Sequence, residues 1–439
     1  MSFIKGDKRT IRAWAFYDWA NSVYSLVIST AVFPIYYSAV TSNDSGSRIM
    51  VFGTDWENSV IYSYTLSLSF LIVAALSPFL SGIADTTNSK KKFLEAFCYL
   101  GALSCMGLYF FTAENVVLGL ALTMLASIGF WGSVVFYNAF LPEIAYPEQQ
   151  DKASAQGFSM GYLGASLLLI FILVMITFHE QFGIATAGMA TRISFLLVGV
   201  WWVGFAQLTL RRLPDKVFVE KENEEVLPSG YRAIKRVFLQ IRRERGLSNF
   251  LLYFFCVSVG VQTIIYVASL FGEKILHLPS EKLIITILII QFLGIAGSYL
   301  FAFLSGRIGN IKALMLAALI WFTIAMAAGL MNGEAPSAEK LFYFLAALVG
   351  MVLGGIQALS RSTYSKMIPK EATEHAGYFS FYDVTEKVAI VFGTFLYGFV
   401  ESVTGSMQNS ALALGVFFLL GFIVLWRQSF IQSKHTGLA

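Results

Sequence analysis

Twelve long apolar runs constrain this chain more than any other feature of its sequence. A membrane-spanning α-helix needs about 20 largely apolar residues, whereas strands of a membrane β-barrel are about ten residues long and alternate in polarity. With 56% hydrophobic and 13% charged residues, the chain falls well below the roughly 25% charged residues of soluble proteins. The sequence therefore predicts an all-α membrane protein with spans near 14–40, 59–83, 93–112, 115–141, 157–178, 192–210, 249–272, 283–305, 311–331, 341–366, 378–400 and 411–427.

One long polar stretch divides the twelve spans into two sets of six. It predicts an N-terminal six-helix bundle over 1–210, a cytoplasmic linker over 211–248 and a C-terminal six-helix bundle over 249–439. The latter part of the linker, about 231–246, has basic residues at amphipathic spacing. It is either a helix lying on the membrane surface or a solvated linker.

The distribution of Lys and Arg predicts the orientation of the chain. With the N-terminus inside, the cytoplasmic segments hold 24 basic residues and the opposite side holds 5. This asymmetry predicts a multi-pass protein of the cell (inner) membrane with both termini in the cytoplasm. Because the basic residues lie in short segments beside apolar spans, orientation explains them, and nucleic acid is not an expected partner.

Polar side chains recur at helical spacing along spans one, four, seven and ten. A polar helix face has to meet protein or water rather than lipid. We therefore expect a substrate path lined by Ser25, Ser29, Ser127, Trp131, Ser258, Gln262 and Gln357. These groups are uncharged, which favours a neutral or zwitterionic molecule with an apolar part over a phosphate or an organic anion. The alternative for the serines is close packing between neighbouring helices.

Charged and amide side chains inside the spans share one depth, near the cytoplasm. Asp18 lies near the start of span one, and Asp383 and Lys387 are spaced as an i,i+4 pair at the start of span eleven. We predict a cytoplasmic gate that includes Asp18, Asn138, Arg361, Asp383, Glu386 and Lys387. In this hypothesis Asp18 and Arg361 are paired directly or through the other members. The alternative is an isolated interfacial Asp18 within an aromatic belt.

The two halves carry related loops. "SGIADTTNSKKKF" follows span two and "AFLSGRIGNIK" follows span eight, with Asp85 and Gly306 in equivalent positions 221 residues apart. Both resemble, imperfectly, the loop of the major facilitator superfamily, whose two pseudo-symmetric six-helix bundles surround a central site. The resemblance implies that Asp85 helps to hold one state of alternating access. The second copy lacks this Asp, since Gly306 takes its place.

Several stretches resemble one family more closely. "WAFYDWANSVYSLVI" (14–28), "VFYNAFLPEIA" (135–145), "GGIQALSRSTYSKMIP" (354–369) and "GYFSFYDVTEKVAIVFGT" (377–394) are similar to the bacterial Unknown Major Facilitator family. That family is related to the autophagy-linked fungal vacuolar amino-acid effluxers. The resemblance covers nearly the whole chain and implies a permease; through the fungal relatives it implies efflux of neutral amino acids.

The expected function is therefore secondary transport of a small neutral or zwitterionic solute by alternating access. A lipid or lysolipid transporter on the same fold is the alternative, and a transport-like sensor is another. An enzyme is not expected, because the four histidines lie in loops or tails and the sequence has no H-E-x-x-H motif, G-x-S-x-G elbow or P-loop. We expect a monomer with a small-molecule substrate in a lipid bilayer, without cofactor or metal. Cys98, Cys105 and Cys256 are expected as small buried hydrophobes.

Cysteine labelling tests the predicted orientation. In a background without the three native cysteines, single cysteines placed in 41–58 should react with an impermeant maleimide added outside. Cysteines placed in 214–230 should react only after the membrane is opened. Labelling of 214–230 from outside, with 41–58 protected, would reject the orientation.

Overall fold

The computed structural model describes residues 4–42, 48–51, 53–215 and 226–435. Within these residues nearly all of the chain is helical, and twelve helical segments are long and apolar enough to cross a bilayer. The predicted twelve-span, all-α architecture is confirmed. Large apolar side chains are exposed on these helices, as Leu71 (65%) and Phe395 (70%) illustrate. Such exposure is unfavourable in water over large contiguous areas but is expected where the surrounding solvent is lipid.

The first compact unit comprises the described residues of Met1–Phe140 together with Met160–Tyr231. Its elements are α1 (Lys8–Val23), a π-helix (Tyr24–Ala31), α2 (Phe33–Thr41), β1 (Arg48–Val51), β2 (Thr54–Glu57), α3 (Asn58–Thr86), α4 (Lys90–Gly107), α5 (Val116–Ala139), the later part of α7 (Pro147–Thr177) and α8 (Ala187–Leu210), with short 3-10 turns at Leu108–Phe110 and Ala113–Asn115. The two strands form an antiparallel hairpin in which Arg48 faces Glu57. This hairpin was not predicted.

The second compact unit comprises Leu141–Ser159 and the described residues of Arg232–Ala439. Its elements are α6 (Leu141–Ile144), the start of α7, most of α9 (Val226–Arg243), α10 (Arg245–Leu276), α11 (Ser280–Ile308), α12 (Asn310–Gly329), α13 (Ala338–Met367), α14 (His375–Thr404) and α15 (Met407–His435). The division differs from a boundary at residue 210, because Leu141–Ser159 packs with the later helices. Side-chain bonds described below explain this placement.

The same helix pairings occur in both units. In the first unit α3 packs on α5, α4 on α5 and α8, and α1 on α8. In the second unit α11 packs on α13, α12 on α13 and α15, and α10 on α15. Helices at equivalent places in the two sequence halves therefore make equivalent contacts. This is the packing expected of a six-helix repeat.

The predicted linker contains a helix. α9 buries Ala233, Val237 and Ile241, which are four residues apart and so share one face. Its opposite side exposes Tyr231 and Phe238. The amphipathic spacing therefore corresponds to a helix. Residues 216–225 of the linker lie outside the described residues.

The first span begins earlier than the apolar run, and its cap explains why. Asp7 precedes α1, and its carboxylate accepts from the Thr10 hydroxyl at 2.8 Å and from the Thr10 amide at 2.9 Å. An N-cap of this kind satisfies a backbone donor at the open end of a helix. The two bonds hold the pKa of the Asp7 carboxyl below its usual value.

The same span is interrupted by the π-helix, which corrects the predicted polar stripe. Asp18 and Ser22 lie on α1, but Ser25 and Ser29 lie in Tyr24–Ala31, where the backbone bonds run from i to i+5. The wider turn breaks the α-helical register on which the stripe was based. Accordingly Asp18 is buried, whereas Ser25 is exposed and Ser29 is half-buried. Phe33 then begins α2 after the break, and Pro34 follows it in the first turn, where a helix tolerates proline.

Glycine at position 354 permits a close approach of two helices in the second unit. A Cβ atom added to Gly354 would clash with the carbonyl oxygen of Gly294 on α11 and lie 2.7 Å from Ser298 Oγ. Gly398, on α14, has nothing within 4 Å of the same added atom. The two glycines therefore provide a matched pair of substitutions.

Gly354→Ala should lower the free energy of unfolding by about 1–3 kcal/mol, because α11 and α13 must move apart to accept the methyl group. Gly398→Ala should leave stability unchanged or raise it by up to about 1 kcal/mol, since Ala is the better helix former. Thermal unfolding in detergent measures both. Equal midpoints for the two variants would show that α11 and α13 do not pack this closely.

Candidate functional site

Asp18 is buried in the first unit and is bound by a side chain of α5. The Tyr137 hydroxyl donates to Asp18 Oδ2 at 2.8 Å. Trp14, one turn earlier, stacks on the Tyr137 ring with centroids 4.6 Å apart, and its Nε1 donates to the Tyr137 carbonyl at 2.8 Å. The neighbouring Asn138 is also buried. The gating role of Asp18 and its alternative, an interfacial residue within an aromatic belt, both stay predictions.

The predicted substrate residues of α5 have two different environments. Ser127 is buried and its hydroxyl lies 2.7 Å from that of Ser69 on α3. This contact joins two helices, which is the packing role considered for the serines. Trp131 is half-buried and meets Phe70 and Phe130 edge-on. Trp131 therefore fits a lining role better than Ser127 does.

Asp85 ends α3, and its side chain is almost fully covered. Lys90, the first residue of α4, places its ammonium 3.5 Å from Asp85 Oδ1, with side-chain exposures of 2% for Asp85 and 5% for Lys90. The turn between them contains Asn88 in the left-handed region, at φ 51°. A buried carboxylate and ammonium thus join the ends of two successive spans. The gating role of Asp85 stays a prediction.

In the second unit, α10 and α14 bring four predicted residues together. Gln262 Nε2 donates to Glu386 Oε1 at 2.6 Å. Lys387 Nζ lies 2.7 Å from Asp383 Oδ1 and 3.5 Å from Glu386 Oε2. The i,i+4 spacing of Asp383 and Lys387 therefore corresponds to a direct ion pair. Ser258, one turn before Gln262 on α10, is buried. We call Gln262, Asp383, Glu386 and Lys387 the α14 cluster.

Arg361 binds the start of α7. Its Nε donates to Ser154 Oγ at 2.9 Å and its Nη2 donates to the Ser154 carbonyl at 3.0 Å. The guanidinium also lies over the Phe158 ring, 4.2 Å from the centroid, which adds a cation–π attraction. Gln357, one turn earlier on α13, is half-buried. The pairing of Arg361 with Asp18 stays a prediction.

Sequence reasoning missed a second polar group in this unit, which is centred on Asp151. Asp151 on α7 forms an ion pair with Lys366 at 2.7 Å and accepts from Asn310 at 2.8 Å and from Ser305 at 3.0 Å. Ser305 and Asn310 flank Gly306, the position at which the second repeat loop lacks its Asp. Asp151 therefore supplies a carboxylate to that loop from a distant part of the chain.

A buried Glu143–His375 contact lies in the same unit. His375 Nδ1 lies 3.0 Å from Glu143 Oε1, and the Glu143 side chain is fully covered. The stretch "LPEIAYPEQQDKAS" carries both Glu143 and Asp151. Three acids in this short segment between apolar runs, Glu143, Glu148 and Asp151, were the available signal.

The described residues hold no cluster of three or more His, Cys, Asp or Glu side chains that could bind a metal ion. The three cysteines are free and buried. Each unit instead offers hydroxyl, amide and indole groups together with charges that are engaged in internal contacts.

Comparisons with known proteins agree with this arrangement. A family model described as "Vacuole effluxer Atg22 like" matches residues 6–437. The MFS-type transporter YxiO of Bacillus subtilis is 31% identical over 415 residues, which cover 94% of this chain and 93% of that protein. Autophagy-related protein 22 of Gibberella zeae is 26% identical over 475 residues, which cover 88% of this chain and 70% of that protein.

Solved structures with much lower identity share the fold. A bacterial homologue of the iron transporter ferroportin, in its outward-facing state, has a TM-score of 0.65 at 12% identity and covers 96% of this chain and 98% of its own. The proton:xylose symporter XylE has a TM-score of 0.67 at 13% identity, with coverages of 95% and 94%. These similarities confirm the predicted major facilitator fold.

The Asp18–Tyr137 bond can be tested by removing one hydroxyl. Tyr137→Phe should lower the free energy of unfolding by about 1–3 kcal/mol, because a buried carboxylate loses a donor. Tyr397→Phe is the matched control, since the Tyr397 hydroxyl is buried and has no partner within the described part of the chain. Thermal unfolding of the control should change little. If Tyr397→Phe lowered the stability as much as Tyr137→Phe, the Asp18–Tyr137 bond would be contradicted.

Proposed function

The chain belongs to the Atg22-like family of major facilitator transporters, and from this premise we propose that it moves small neutral or zwitterionic solutes, with neutral amino acids as its substrate class. Family membership over residues 6–437 is the observation that carries the proposal. The names of the fungal relatives favour efflux. The proposed mechanism is alternating access, as in other transporters of this fold.

The chemistry of the candidate residues supports this substrate class. An amino acid carries an ammonium group, which needs acceptors, and a carboxylate, which needs donors. Hydroxyl and amide side chains offer both functions. Within their own units Ser25 is exposed, and Ser29 and Gln357 are half-buried. The indole of Trp131 adds an apolar surface with one donor. We assign these four side chains first to the substrate.

The charged residues support a solute without net charge. Asp18 is bound by Tyr137, Arg361 by Ser154, and Lys387 by Asp383. Charges engaged in this way are poorly placed to neutralise a phosphate or an organic anion, because the existing contacts would have to break first. The four side chains assigned first to the substrate are neutral.

The membrane location and the orientation of the chain are inferred from its spans and its basic residues. The protein is a multi-pass membrane protein with twelve candidate spans. From the 24-to-5 distribution of Lys and Arg we infer that both termini lie in the cytoplasm and that the chain lies in the cell membrane.

A thermal-shift screen of the purified protein tests the substrate class. The panel contains neutral, acidic and basic amino acids, short peptides, nucleosides and lysolipids. Neutral amino acids should raise the unfolding midpoint in a concentration-dependent way, because a ligand that binds only the folded state stabilises it. Stabilisation by lysolipids alone would replace the proposal with the lipid transporter.

Gln357→Leu should weaken binding of the amino acid found in that screen by about 3–10-fold, the effect of losing one net hydrogen bond. Gln207→Leu is the matched control: this half-buried amide bonds to Tyr99 and is not among the proposed substrate residues. Titration by thermal shift and counterflow in proteoliposomes measure both variants. An equal loss in both would remove Gln357 from the site.

A further inference from the structure

The helix of the linker, α9, leaves a row of aromatic and basic side chains uncovered. The members of this row follow one another at offsets of 0, 4, 7 and 11 residues, so they share one face of the helix. They are Tyr231, Lys235, Phe238 and Arg242, all of them exposed. Tyr231 is 63% and Phe238 is 48% exposed. We call these four side chains the α9 stripe, in which two large rings alternate with two positive charges.

The neighbouring row on the same helix is basic as well. It has the same spacing and consists of the exposed side chains Arg232, Arg236, Leu239 and Arg243. Arg236 Nη1 donates to Glu374 Oε1 at 2.5 Å, which joins α9 to the residue that precedes α14. The sequence of α9 contains no Asp or Glu. The uncovered side of this helix therefore carries positive charge along its length.

Phe238 connects the α9 stripe to a lipid-facing surface. Its ring centroid lies 6.0 Å from that of Phe381 on α14. The same face of α14 continues with the exposed side chains Val388, Phe392, Phe395 and Phe399. A row of large exposed apolar side chains along a span faces lipid. Because Phe381 follows the start of α14 at His375 by six residues, Phe238 lies where this lipid-facing row begins.

Aromatic rings and basic side chains are the groups that favour a membrane surface. The rings lie at the level of the lipid head groups or just below them, while Lys and Arg extend their charge to the phosphates. A zwitterionic lipid has no net charge, whereas anionic lipids give a membrane surface a negative potential that attracts clustered Lys and Arg. The composition of the α9 stripe therefore favours anionic over zwitterionic phospholipids.

Chain orientation is the alternative explanation for these basic residues. Orientation requires Lys and Arg near the ends of the spans, and α9 precedes the span in α10. It does not require that they lie on one face of a helix, nor that exposed aromatic rings alternate with them beside a lipid-facing row. The number of charges is thus explained by orientation, and their arrangement is explained by contact with lipid.

We propose that the α9 stripe binds anionic phospholipids of the cytoplasmic leaflet. Lys235 and Arg242 bind the lipid phosphates, and Phe238 packs against the upper part of the acyl chains beside Phe381. The Arg236–Glu374 ion pair links the bound lipid to the start of α14. The choice of leaflet rests on the orientation inferred above, whereas the preference for anionic lipid depends neither on the orientation nor on the transported substrate.

Native mass spectrometry of the full-length protein in dodecyl maltoside counts the lipids that it retains. The probes are phosphatidylglycerol and phosphatidylcholine with identical acyl chains, added in equal amounts. The unaltered protein should retain phosphatidylglycerol in excess. Lys235→Gln combined with Arg242→Gln should lower the ratio of the two bound lipids about tenfold, because clustered basic residues attract anionic lipid. Lys8→Gln combined with Arg12→Gln, which changes two exposed basic residues of α1, is the matched control and should keep the ratio.

A second variant and a soluble probe distinguish a membrane lipid from a free phosphate. Phe238→Ser keeps every charge and removes the ring, so it should reduce the retained phosphatidylglycerol without changing the midpoint of thermal unfolding in detergent alone. Glycerol phosphate is the head-group chemistry without acyl chains. It should leave the unfolding midpoint unchanged at concentrations at which phosphatidylglycerol raises it.

Three results would overturn the proposal. The first is an unchanged lipid ratio in the α9 double variant, or an equal loss in the α1 control. The second is stabilisation by glycerol phosphate as strong as that by phosphatidylglycerol, which would indicate a site for a soluble phosphate. The third is a preference for phosphatidylglycerol that emerges only after Glu220, Glu222, Glu224 and Glu225 are replaced by Gln, which would assign the α9 stripe to that acidic segment of the linker.

Discussion

A polar group that this chain carries into a membrane is costly unless it finds a partner inside the protein. Lipid offers no hydrogen bonds, so an unsatisfied buried group costs several kcal/mol, roughly, at each position. The contacts of the spans follow this constraint: Asp18 is bound by Tyr137, Ser127 by Ser69, and Lys387 by Asp383. Each of these bonds joins a span to another span or one helical turn to the next. These contacts therefore pack the helices together and at the same time satisfy their polar groups.

The two repeats use different residues to join their second and third spans. Each must hold together the end of its second span and the start of its third. The first repeat does so locally, with Asp85 against Lys90. In the second repeat Gly306 replaces the acid, and Asp151 from α7 reaches Ser305 and Asn310 instead. This difference gives Leu141–Ser159 its place among the later helices, although it precedes them by many residues in sequence.

Features that depend on a local sequence pattern could be predicted from the sequence. Features that depend on contacts between distant parts of the chain could not. The twelve spans and the repeat follow from local hydropathy and loop position, which a single sequence contains. The Asp383–Lys387 pair also follows, because i,i+4 neighbours face each other on any α-helix. The π-helix over Tyr24–Ala31 was missed, since its serines still fit α-helical spacing. The partners of Asp151 were missed because nothing local to that residue specifies Asn310 or Lys366.

The same reasoning separates the neutral polar side chains from the charged ones. Neutral side chains such as Gln357 and Trp131 are half-buried in their units, while Arg361 and Lys387 are bound by other side chains. Glu386 is the intermediate case, because it is partly exposed and is bonded chiefly to an amide. Its two carboxylate oxygens are divided between the Gln262 amide at 2.6 Å and the Lys387 ammonium at 3.5 Å, while Asp383 lies 2.7 Å from the same ammonium. The charges of α14 are therefore engaged with one another and with an amide, which is why we assign the neutral side chains, rather than the charged ones, to the substrate.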